Sequence, residues 1–387
     1  MKTRTTETPP MIPREAWSPP VPDDVAALFR TEGLTLVGIA DADAAPELET
    51  EFKAWLSEQR QGSMKWLSEH AELKYRPESM LAGCRSVLIV ALNYYQAAPW
   101  ARGDNNATPA GARGPAGRIA RYAWGRDYHK VIGKRLLRVV RALQEAYPEE
   151  SFRSFTDATP LAERYFAERA GASFTARNTL SISSAFGSWF LIGEILSTKD
   201  FGVSEPSNGR HGSCPQGCYR CIDVCPTGAL HAPHRIDASK CISYLTIEHK
   251  GHIPEDLRPK MGTWLFGCDL CQEVCPLNVR AEVTAEEDFI TVRAGDSQLL
   301  EEILAIETDD EYTARFAGSP LMRAKRQGLL RNAAIVAANM DAQSLRPLLE
   351  RRAGDRDDVI AEAARWALSQ LNDRVAPDRQ VPPATRP

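Results

Sequence analysis

Eight of the nine cysteines in this 387-residue chain lie in one short segment, between Cys214 and Cys275. Two runs in this segment have the same form, a Cys-x2-Cys pair followed after three residues by Cys-Pro, and they end at Cys225 and Cys275. In two-cluster ferredoxins the last cysteine of such a run binds the other cluster, which predicts two interleaved [4Fe–4S] clusters. Cluster one takes Cys214, Cys218, Cys221 and Cys275, and cluster two takes Cys225, Cys241, Cys268 and Cys271.

Two features of the cysteines leave alternatives open. Three residues separate Cys214 from Cys218, whereas bacterial ferredoxin runs have two, so Cys214 departs from the pattern. A pair of zinc sites with four cysteines each is the alternative to the clusters, although the repeated Cys-Pro ending favours iron–sulfur. The ninth cysteine, Cys84, is interpreted as a small buried hydrophobe at the start of a strand. Two neighbouring clusters indicate a conduit for single electrons to an acceptor elsewhere in the protein.

The composition is that of a globular protein of two or three domains, with 43% hydrophobic residues and a formal net charge of −4. This charge does not indicate nucleic-acid binding by the chain as a whole. The polar, proline-rich residues 1–20 predict a disordered tail, and they contain neither the apolar core of a signal peptide nor paired arginines. No apolar run approaches the ~20 residues of a membrane span, so we expect a soluble, cytoplasmic protein that contacts no membrane.

The elements that must position the cysteines predict an α+β protein. Aliphatic runs of strand length cover residues 34–40 and 86–92. A helix with one apolar and one basic face follows Gly125, and Pro160 opens a further helix. The C-terminal part predicts three successive amphipathic helices, similar to a short HEAT-like array. They cover residues 323–339, 342–351 and 359–371.

Longer motifs surround the cysteines and occur elsewhere in the chain. Around the cysteines they are CPTGAL at 225–230, CISYLT at 241–246, FGCDLC at 266–271 and VCPLN at 274–278. Elsewhere they are YAWGRDYH at 122–129, AERAG at 167–171, FGSW at 186–189 and GLLRNA at 328–333. Taken together, these motifs resemble the epoxyqueuosine reductase family over about residues 23–371.

The resemblance implies an enzyme with three domains after the tail. They are a nitroreductase-like cobalamin-binding domain at residues 21–205, a ferredoxin-like domain with two [4Fe–4S] clusters at 206–290, and a HEAT-like helical domain at 291–387. Such enzymes reduce epoxyqueuosine to queuosine at wobble position 34 of tRNA, the last step of queuosine biosynthesis, with cob(I)alamin that receives electrons from the clusters. The chain has no Asp-x-His-x-x-Gly motif, so base-off cobalamin is implied. The implied partners are tRNA with a GUN anticodon and a low-potential electron donor, and the protein is expected to be a monomer.

Conversion of an epoxide to an alkene needs a proton donor, because an alkoxide is a poor leaving group, and a carboxylic acid held protonated in a partly desolvated site can serve. The resemblance implies that Asp157 is this donor. The alternative is that Asp157 is only a turn or cap residue before Pro160. Asp127 is the second candidate, with an N-cap of the following helix as the alternative. Positions that match the family's cobalamin contacts are Arg76, Asp157, Ser181, Ile192, Ser243 and Asp269. Ser243 and Asp269 adjoin ligands of cluster two, which predicts a corrin close to that cluster.

Recognition of tRNA predicts phosphate contacts from lysines and arginines, for which a solvated helix face is the alternative. The candidate residues are Lys250, Lys260, Arg323, Lys325, Arg326 and Arg331. Two other functions remain as alternatives, a reductive dehalogenase-like corrinoid iron–sulfur reductase and an electron-transfer protein of the ferredoxin type. Reductive dehalogenases usually carry a twin-arginine signal and lack this helical C-terminal part. An electron-transfer ferredoxin would not account for residues 1–200.

Overall fold

The computed structural model describes residues 23–157, 160–204 and 212–375, so the tail predicted for residues 1–20 lies outside the described residues. The α-helices of this part are α1 (Asp23–Thr31), α2 (Pro46–Ser57), α3 (Trp66–Glu69), α4 (Tyr128–Ala146), α5 (Glu163–Arg169), α6 (Arg220–Asp223), α7 (Ile242–Ile247), α8 (Leu270–Glu273), α9 (Glu287–Ile290), α10 (Leu300–Leu304), α11 (Asp309–Phe316), α12 (Lys325–Asn339), α13 (Arg346–Ala353) and α14 (Asp358–Val375). The strands are β1 (Thr35–Asp41), β2 (Ser86–Asn93), β3 (Ala116–Ile119), β4 (Phe152–Phe155), β5 (Phe174–Thr175), β6 (Ser181–Ile182), β7 (Phe190–Ser197), β8 (Leu230–Ala232), β9 (Arg235–Ile236), β10 (Trp264–Phe266) and β11 (Ser297–Leu299).

A four-stranded antiparallel sheet in the order β1-β2-β7-β4 organises the N-terminal part of the chain. Strands β2 and β7 pair over their whole length, from Ser86 opposite Ser197 to Asn93 opposite Phe190. Both strands are nearly continuous apolar runs because helices cover both faces of the sheet. One face packs against α1 and α4, and the other packs against α5. The sheet therefore has a hydrophobic core on each side.

The strands and helices predicted for this part are confirmed, with some shifted ends. β1 and β2 match the two aliphatic runs, and α4 is the predicted amphipathic helix, beginning at Tyr128. The helix expected from Pro160 begins at Glu163 instead. The backbone amide of Ala162, the residue before the helix, donates a hydrogen bond to the carbonyl of Lys74 in a neighbouring loop.

A second, mixed sheet joins segments that are far apart in the sequence. β3 pairs in parallel with β10 and antiparallel with β11. The guanidinium carbon of Arg118 on β3 lies 4.1 Å from the ring centroid of Trp264 on β10. The largest hydrophobic core of the described residues extends from Trp100 to Leu371. The segments predicted as separate domains thus share one core in an α+β fold, and their boundaries stay a prediction.

The C-terminal helices follow the predicted order. α12, α13 and α14 occupy the three predicted segments, and most of α12 is buried. The 3-10 helix Pro320–Ala324 replaces the expected start of α12 at Arg323. Asn332 on α12 donates hydrogen bonds to the carbonyls of Thr246 and Leu265, which attach α12 to the cysteine segment. None of the helices described has both the length and the apolar character needed to cross a membrane.

Candidate active site

A cavity of about 830 Å³ lies between the N-terminal sheet region and the cysteine segment. Its lining includes Asp157, Ser243 and the aromatic side chains of Phe52 and Tyr75. The cysteines among the described lining residues are Cys225, Cys241, Cys268 and Cys271. These are the four cysteines predicted for cluster two. A mostly apolar cavity of this size with a few convergent polar groups is typical of a cofactor site.

The remaining cysteines of the segment form a group of their own. Cys214 and Cys275 pack together against the small core around Phe174. Burial raises the pKa of Cys221 to about 11, and the nearby Cys214 and Cys218 contribute. Burial likewise raises the pKa of Cys275 to about 11, again with contributions from the other three thiols. Cys214 and Cys218 therefore lie close to both Cys221 and Cys275, so the four cysteines predicted for cluster one form one group.

The cysteines at the cavity wall form a second group. Burial raises the pKa of Cys268 well above its usual value, and Cys241 and Cys271 raise it further. The pKa of Cys271 is raised by burial and by Cys241, Cys221 and Cys225. Because Cys221 belongs to the first group, the two groups adjoin. The assignment of individual ligands to each cluster stays a prediction.

Both groups fit iron–sulfur clusters on chemical grounds. Buried thiols with a raised pKa, such as those of Cys268 and Cys271, stay protonated in the protein alone, whereas bound iron deprotonates them. No three His, Cys, Asp or Glu side chains of the described residues are grouped closely enough to hold one metal ion, but the four cysteines of a [4Fe–4S] cluster bind four separate iron atoms. Cys84 lies apart from both groups, half-buried against the N-terminal core, and burial raises its pKa to about 11.

Asp157 lies at the cavity within a hydrogen-bonded network. Its φ of 48° is a left-handed conformation, which Asp adopts more readily than most residues. Its carboxylate accepts a hydrogen bond from the Tyr128 hydroxyl and lies 3.5 Å from Nε2 of His129. Burial tends to raise the pKa of Asp157, but hydrogen bonds from His129 and Tyr128 and the positive charges of His129 and Arg164 outweigh burial and lower it. The lowered pKa favours the carboxylate form of Asp157 in the protein alone, and its role as proton donor stays a prediction.

His129 carries the proton of this network. Its Nδ1 lies 2.8 Å from Oδ1 of Asp127, and its Nε2 faces Asp157. Burial tends to lower the pKa of His129, but the hydrogen bonds to Asp127 and Asp157 raise it to about 9. Asp127 also accepts a hydrogen bond from the backbone amide of His129 as the N-cap of α4, which confirms the capping interpretation. Asp127 thus positions His129 and is not among the described residues that line the cavity.

Two further acidic side chains lie behind Asp157, and the sequence analysis missed both. Glu163 accepts a hydrogen bond from the backbone amide of Asp157, and burial together with the Asp157 charge raises the pKa of Glu163 to about 8. Glu194 on β7 is fully buried, and neither carboxylate oxygen has a hydrogen-bond partner among the described residues. Burial and the charges of Glu163 and Asp157 raise the pKa of Glu194 well above its usual value. For Glu194, the signal available in the sequence was that it is the single charged residue in the otherwise mostly apolar strand β7.

Two of the predicted cobalamin contacts line the cavity, and a third, Ser181, adjoins its lining. Asp157 and Ser243 line it. Ser181 directly follows the lining residues 178–180, and its buried hydroxyl has no hydrogen-bond partner among the described residues. A buried polar atom without a partner is uncommon in folded proteins. This hydroxyl therefore fits a site that is completed by a ligand.

The other three predicted cobalamin contacts are not among the described lining residues. Ile192 is half-buried in the apolar layer between the sheet and α5. Arg76 pairs with Glu49 at 2.8 Å. Asp269 is 2% exposed and pairs with the buried Arg121 at 2.8 Å. In this arrangement the side chains of Arg76 and Asp269 are engaged by the protein itself.

Arg331 does not have the exposure that a tRNA contact requires. It is 1% exposed, and its guanidinium donates hydrogen bonds to the carbonyls of Leu245, His249 and Gly251. These bonds fix α12 to the loop after α7. We therefore correct the prediction that Arg331 contacts tRNA, because its charge is used inside the protein.

The other predicted tRNA residues reach the surface at least in part. They are Lys250, Lys260, Arg323, Lys325 and Arg326. Arg323 forms two hydrogen bonds with Glu248, and Arg326 pairs with Asp355 at 3.0 Å. The hydrogen bond to Glu248 raises the pKa of Arg323, and the more distant charge of Asp157 contributes. Arg323, within this basic group, therefore lies within electrostatic reach of Asp157.

Two family models match the chain. Residues 74–158 match the model described as "Epoxyqueuosine reductase QueG, DUF1730", and residues 214–278 match a "4Fe-4S double cluster binding domain". Epoxyqueuosine reductase of Xanthomonas campestris is 36% identical over 356 residues, which cover 91% of this chain and 97% of that protein. The Escherichia coli enzyme is 36% identical over 344 residues, which cover 88% of this chain and 87% of that protein.

Solved structures of similar proteins have the same fold. Epoxyqueuosine reductase crystallised with an epoxyqueuosine-modified tRNA-Tyr stem loop has a TM-score of 0.80 and 27% identity, with 90% of this chain and 89% of that chain covered. A structure from Bacillus subtilis, described as having an aspartate catalytic loop swung out of the active site, has a TM-score of 0.79 and 27% identity, with 90% of each chain covered.

Proposed function

The chain belongs to the epoxyqueuosine reductase family, and on that basis we propose that it reduces epoxyqueuosine to queuosine at wobble position 34 of tRNA, as the last step of queuosine biosynthesis. One observation carries this proposal. The four cysteines predicted for cluster two line the same cavity as Asp157. Electrons and protons can therefore reach a single reaction site from two different walls.

Base-off cobalamin is the proposed occupant of the cavity. Asp157, Ser243 and the unpaired hydroxyl of Ser181 support this assignment as groups that would hold it. When bound, cobalamin supplies a cobalt centre that stores electrons received singly and carries the reduction of the substrate. Arg76, Ile192 and Asp269 belong to the proposal as residues that shape the cavity from behind its lining.

Proton delivery is proposed to run through Asp157. Reduction of the epoxide to an alkene consumes two electrons and two protons and releases the oxygen as water. His129, whose pKa is about 9, is protonated at neutral pH and can pass its Nε2 proton to Asp157. Asp157 then protonates the oxygen of the substrate as a general acid, and Glu163, whose pKa is about 8, is a second protonated group beside it. The aspartate catalytic loop described for the Bacillus subtilis structure supports an aspartate in this role.

The tRNA is proposed to contact the basic group that contains Arg323. The related structure with a tRNA stem loop supports an RNA partner for this chain, and this partner is proposed to be tRNA with a GUN anticodon. The contacting residues are proposed to be Lys250, Lys260, Arg323, Lys325 and Arg326. The nitroreductase-like and HEAT-like assignments of residues 21–205 and 291–387 belong to the same proposal, as do a low-potential electron donor and a cytoplasmic monomer.

Anaerobic turnover tests the proposal. The purified enzyme is incubated with tRNA that contains epoxyqueuosine, with added cobalamin and a strong chemical reductant. We expect mass analysis of the nucleosides to show queuosine, formed only when cobalamin is present. A parallel reaction with an organohalide tests the dehalogenase alternative. Unchanged epoxyqueuosine after incubation with enzyme that contains both clusters and cobalamin rejects the proposed function.

A further inference from the structure

None of the cysteines predicted for cluster one is among the described residues that line the 830 Å³ cavity. One of them instead lines a separate groove on the surface. Cys275 lies in a surface groove of about 530 Å³, together with Arg102, Arg220 and Val279. The cluster-two cysteines line the cavity instead. The two thiol groups adjoin, because α6, which carries Cys221, packs against α8, which carries Cys271. The groove is therefore the surface from which an electron would reach the first cluster before the second.

We propose that this groove is the docking site for a small, acidic one-electron carrier protein. The inference rests on the proposed function, since it supplies the electrons for that reaction. In each transfer one electron passes from the reduced centre of the carrier to cluster one, so the carrier is oxidised and the cluster is reduced by one electron. No proton moves in this step, and two such transfers supply the two electrons of one turnover.

The charges at the groove favour an acidic partner. Arg102 and Arg220 are both exposed, and neither has an ion-pair partner among the described residues. Glu273 contributes to the groove, but its side chain is buried and pairs with Arg121 at 3.0 Å. Asp223 is the remaining acidic residue of the described lining, and it is exposed. The accessible lining is thus positive overall, which steers acidic proteins toward it.

The apolar residues at the groove suit a transient protein contact. Val279 is 67% exposed within the groove, and Val283 on the chain that leaves it is 61% exposed. Tyr219, next to Arg220 at the start of α6, is 44% exposed. Protein interfaces combine an apolar centre that is rich in aromatic residues with a polar rim. Complexes for electron transfer are at the small, weak end of the range, so a shallow contact of this kind is sufficient.

Charge reversal at the two arginines tests the docking site. The holoenzyme with Arg102→Glu and Arg220→Glu is compared with the wild type and with a control in which Arg141→Glu and Arg356→Glu make the same charge change at exposed positions elsewhere. The probe is a flavodoxin, which is a small acidic flavoprotein. Its affinity is measured by calorimetry at several salt concentrations, and the reduction of the clusters by its reduced form is followed by stopped-flow absorbance.

We expect the groove variant to lose about tenfold or more in affinity and in the second-order rate of cluster reduction at low salt, with the difference shrinking at high salt. The control variant should match the wild type, and Arg102→Lys with Arg220→Lys should restore most of the affinity. Reduction by dithionite, which needs no protein docking, should be the same in all variants.

Three outcomes overturn the docking site. They are wild-type flavodoxin affinity in the groove variant, no flavodoxin binding by the wild type, and a loss of tRNA binding in place of flavodoxin binding, which would assign the groove to RNA. Failure of the proposed function is distinguishable from these outcomes. It appears as no epoxyqueuosine reduction by the wild type with dithionite, while the binding measurements still decide the docking site.

Discussion

Replacement of Asp127 by Asn separates the charge of this residue from its role as a helix cap. Asn caps helices as well as Asp does, so α4 should keep its start at a cost of no more than a few tenths of a kcal/mol. The variant removes the negative charge that lies 2.8 Å from Nδ1 of His129. Asp127 is one of two carboxylates that raise the pKa of His129 from 6.5 to about 9. If Asp127 and Asp157 contribute comparably, removal of the Asp127 charge lowers the pKa of His129 by roughly one unit, which is equivalent to about 1.4 kcal/mol. The His129 side chain is 41% exposed, so solvent screens the interaction and this energy is an upper limit.

The direction in which the pKa of His129 is shifted determines how turnover changes with pH. The pKa of His129 is raised, so its proton is available below about pH 9 and is lost as the pH rises through that value. Turnover of the wild type should therefore fall by about tenfold per unit above pH 9, and the fall in Asp127→Asn should begin about one unit lower. Single-turnover rates from pH 6 to 10, measured on enzyme loaded with cobalamin and reduced in advance, give the two profiles.

Two controls make this experiment decisive. Glu145→Gln makes the same carboxylate-to-amide change at the far end of α4 and should leave the profile unchanged. The absorbance of the clusters and of cobalamin should be the same in all three proteins. An alkaline limb that stays in place in Asp127→Asn would refute proton supply through His129.

Three further changes test other parts of the site. Asp157→Asn should keep both clusters and cobalamin but lower turnover by about 10² or more, and near-wild-type turnover in a nucleoside assay would contradict its role as proton donor. Arg323→Ala with Lys325→Ala should weaken tRNA binding and reduce its dependence on salt by about 0.7 in slope for each lost phosphate contact, whereas an unchanged slope in filter-binding titrations would exclude this surface. Glu194→Gln should raise the apparent Tm at pH 8 and not at pH 4. The pKa of Glu194 is raised on folding, so this acid destabilises the folded protein as the pH rises above the usual glutamate pKa of 4.5, by up to about 1.4 kcal/mol for each unit by which the pKa is raised. Equal Tm differences at both pH values would mean that the buried carboxyl is not the cause.

Local spacing in the sequence predicted local features well. The two cysteine runs predicted two clusters, and the match of residues 214–278 to a 4Fe-4S double cluster binding domain supports this number. The apolar runs predicted β1 and β2 because strands that are covered on both faces need continuous hydrophobic residues. The N-cap at Asp127 was also readable, because the capping residue and the helix that follows it are adjacent in the chain.

Features that depend on distant partners could not be predicted in this way. Arginine is usually found at the surface, but the guanidinium of Arg331 is surrounded by carbonyls of residues that lie more than 80 positions earlier in the sequence. The pKa of His129 is raised first by the nearby Asp127, but also by Asp157, which is 28 residues further along the chain. The pairing of β3 with β10 joins residues 116–119 to residues 264–266, so the predicted domains share a core that periodicity alone does not indicate.

The attachment of α12 to the cysteine segment has a consequence for the assembly of the enzyme. Arg331 and Asn332 bind carbonyls of the chain around α7 and β10, and these elements flank the cysteines at the cavity wall. Arg323 and Lys325, at the entrance to α12, depend on the same scaffold. The same hydrogen bonds therefore hold the chain beside the cavity-side thiols and the start of the helix that carries the proposed RNA surface, so the two parts of the molecule are tied to one scaffold.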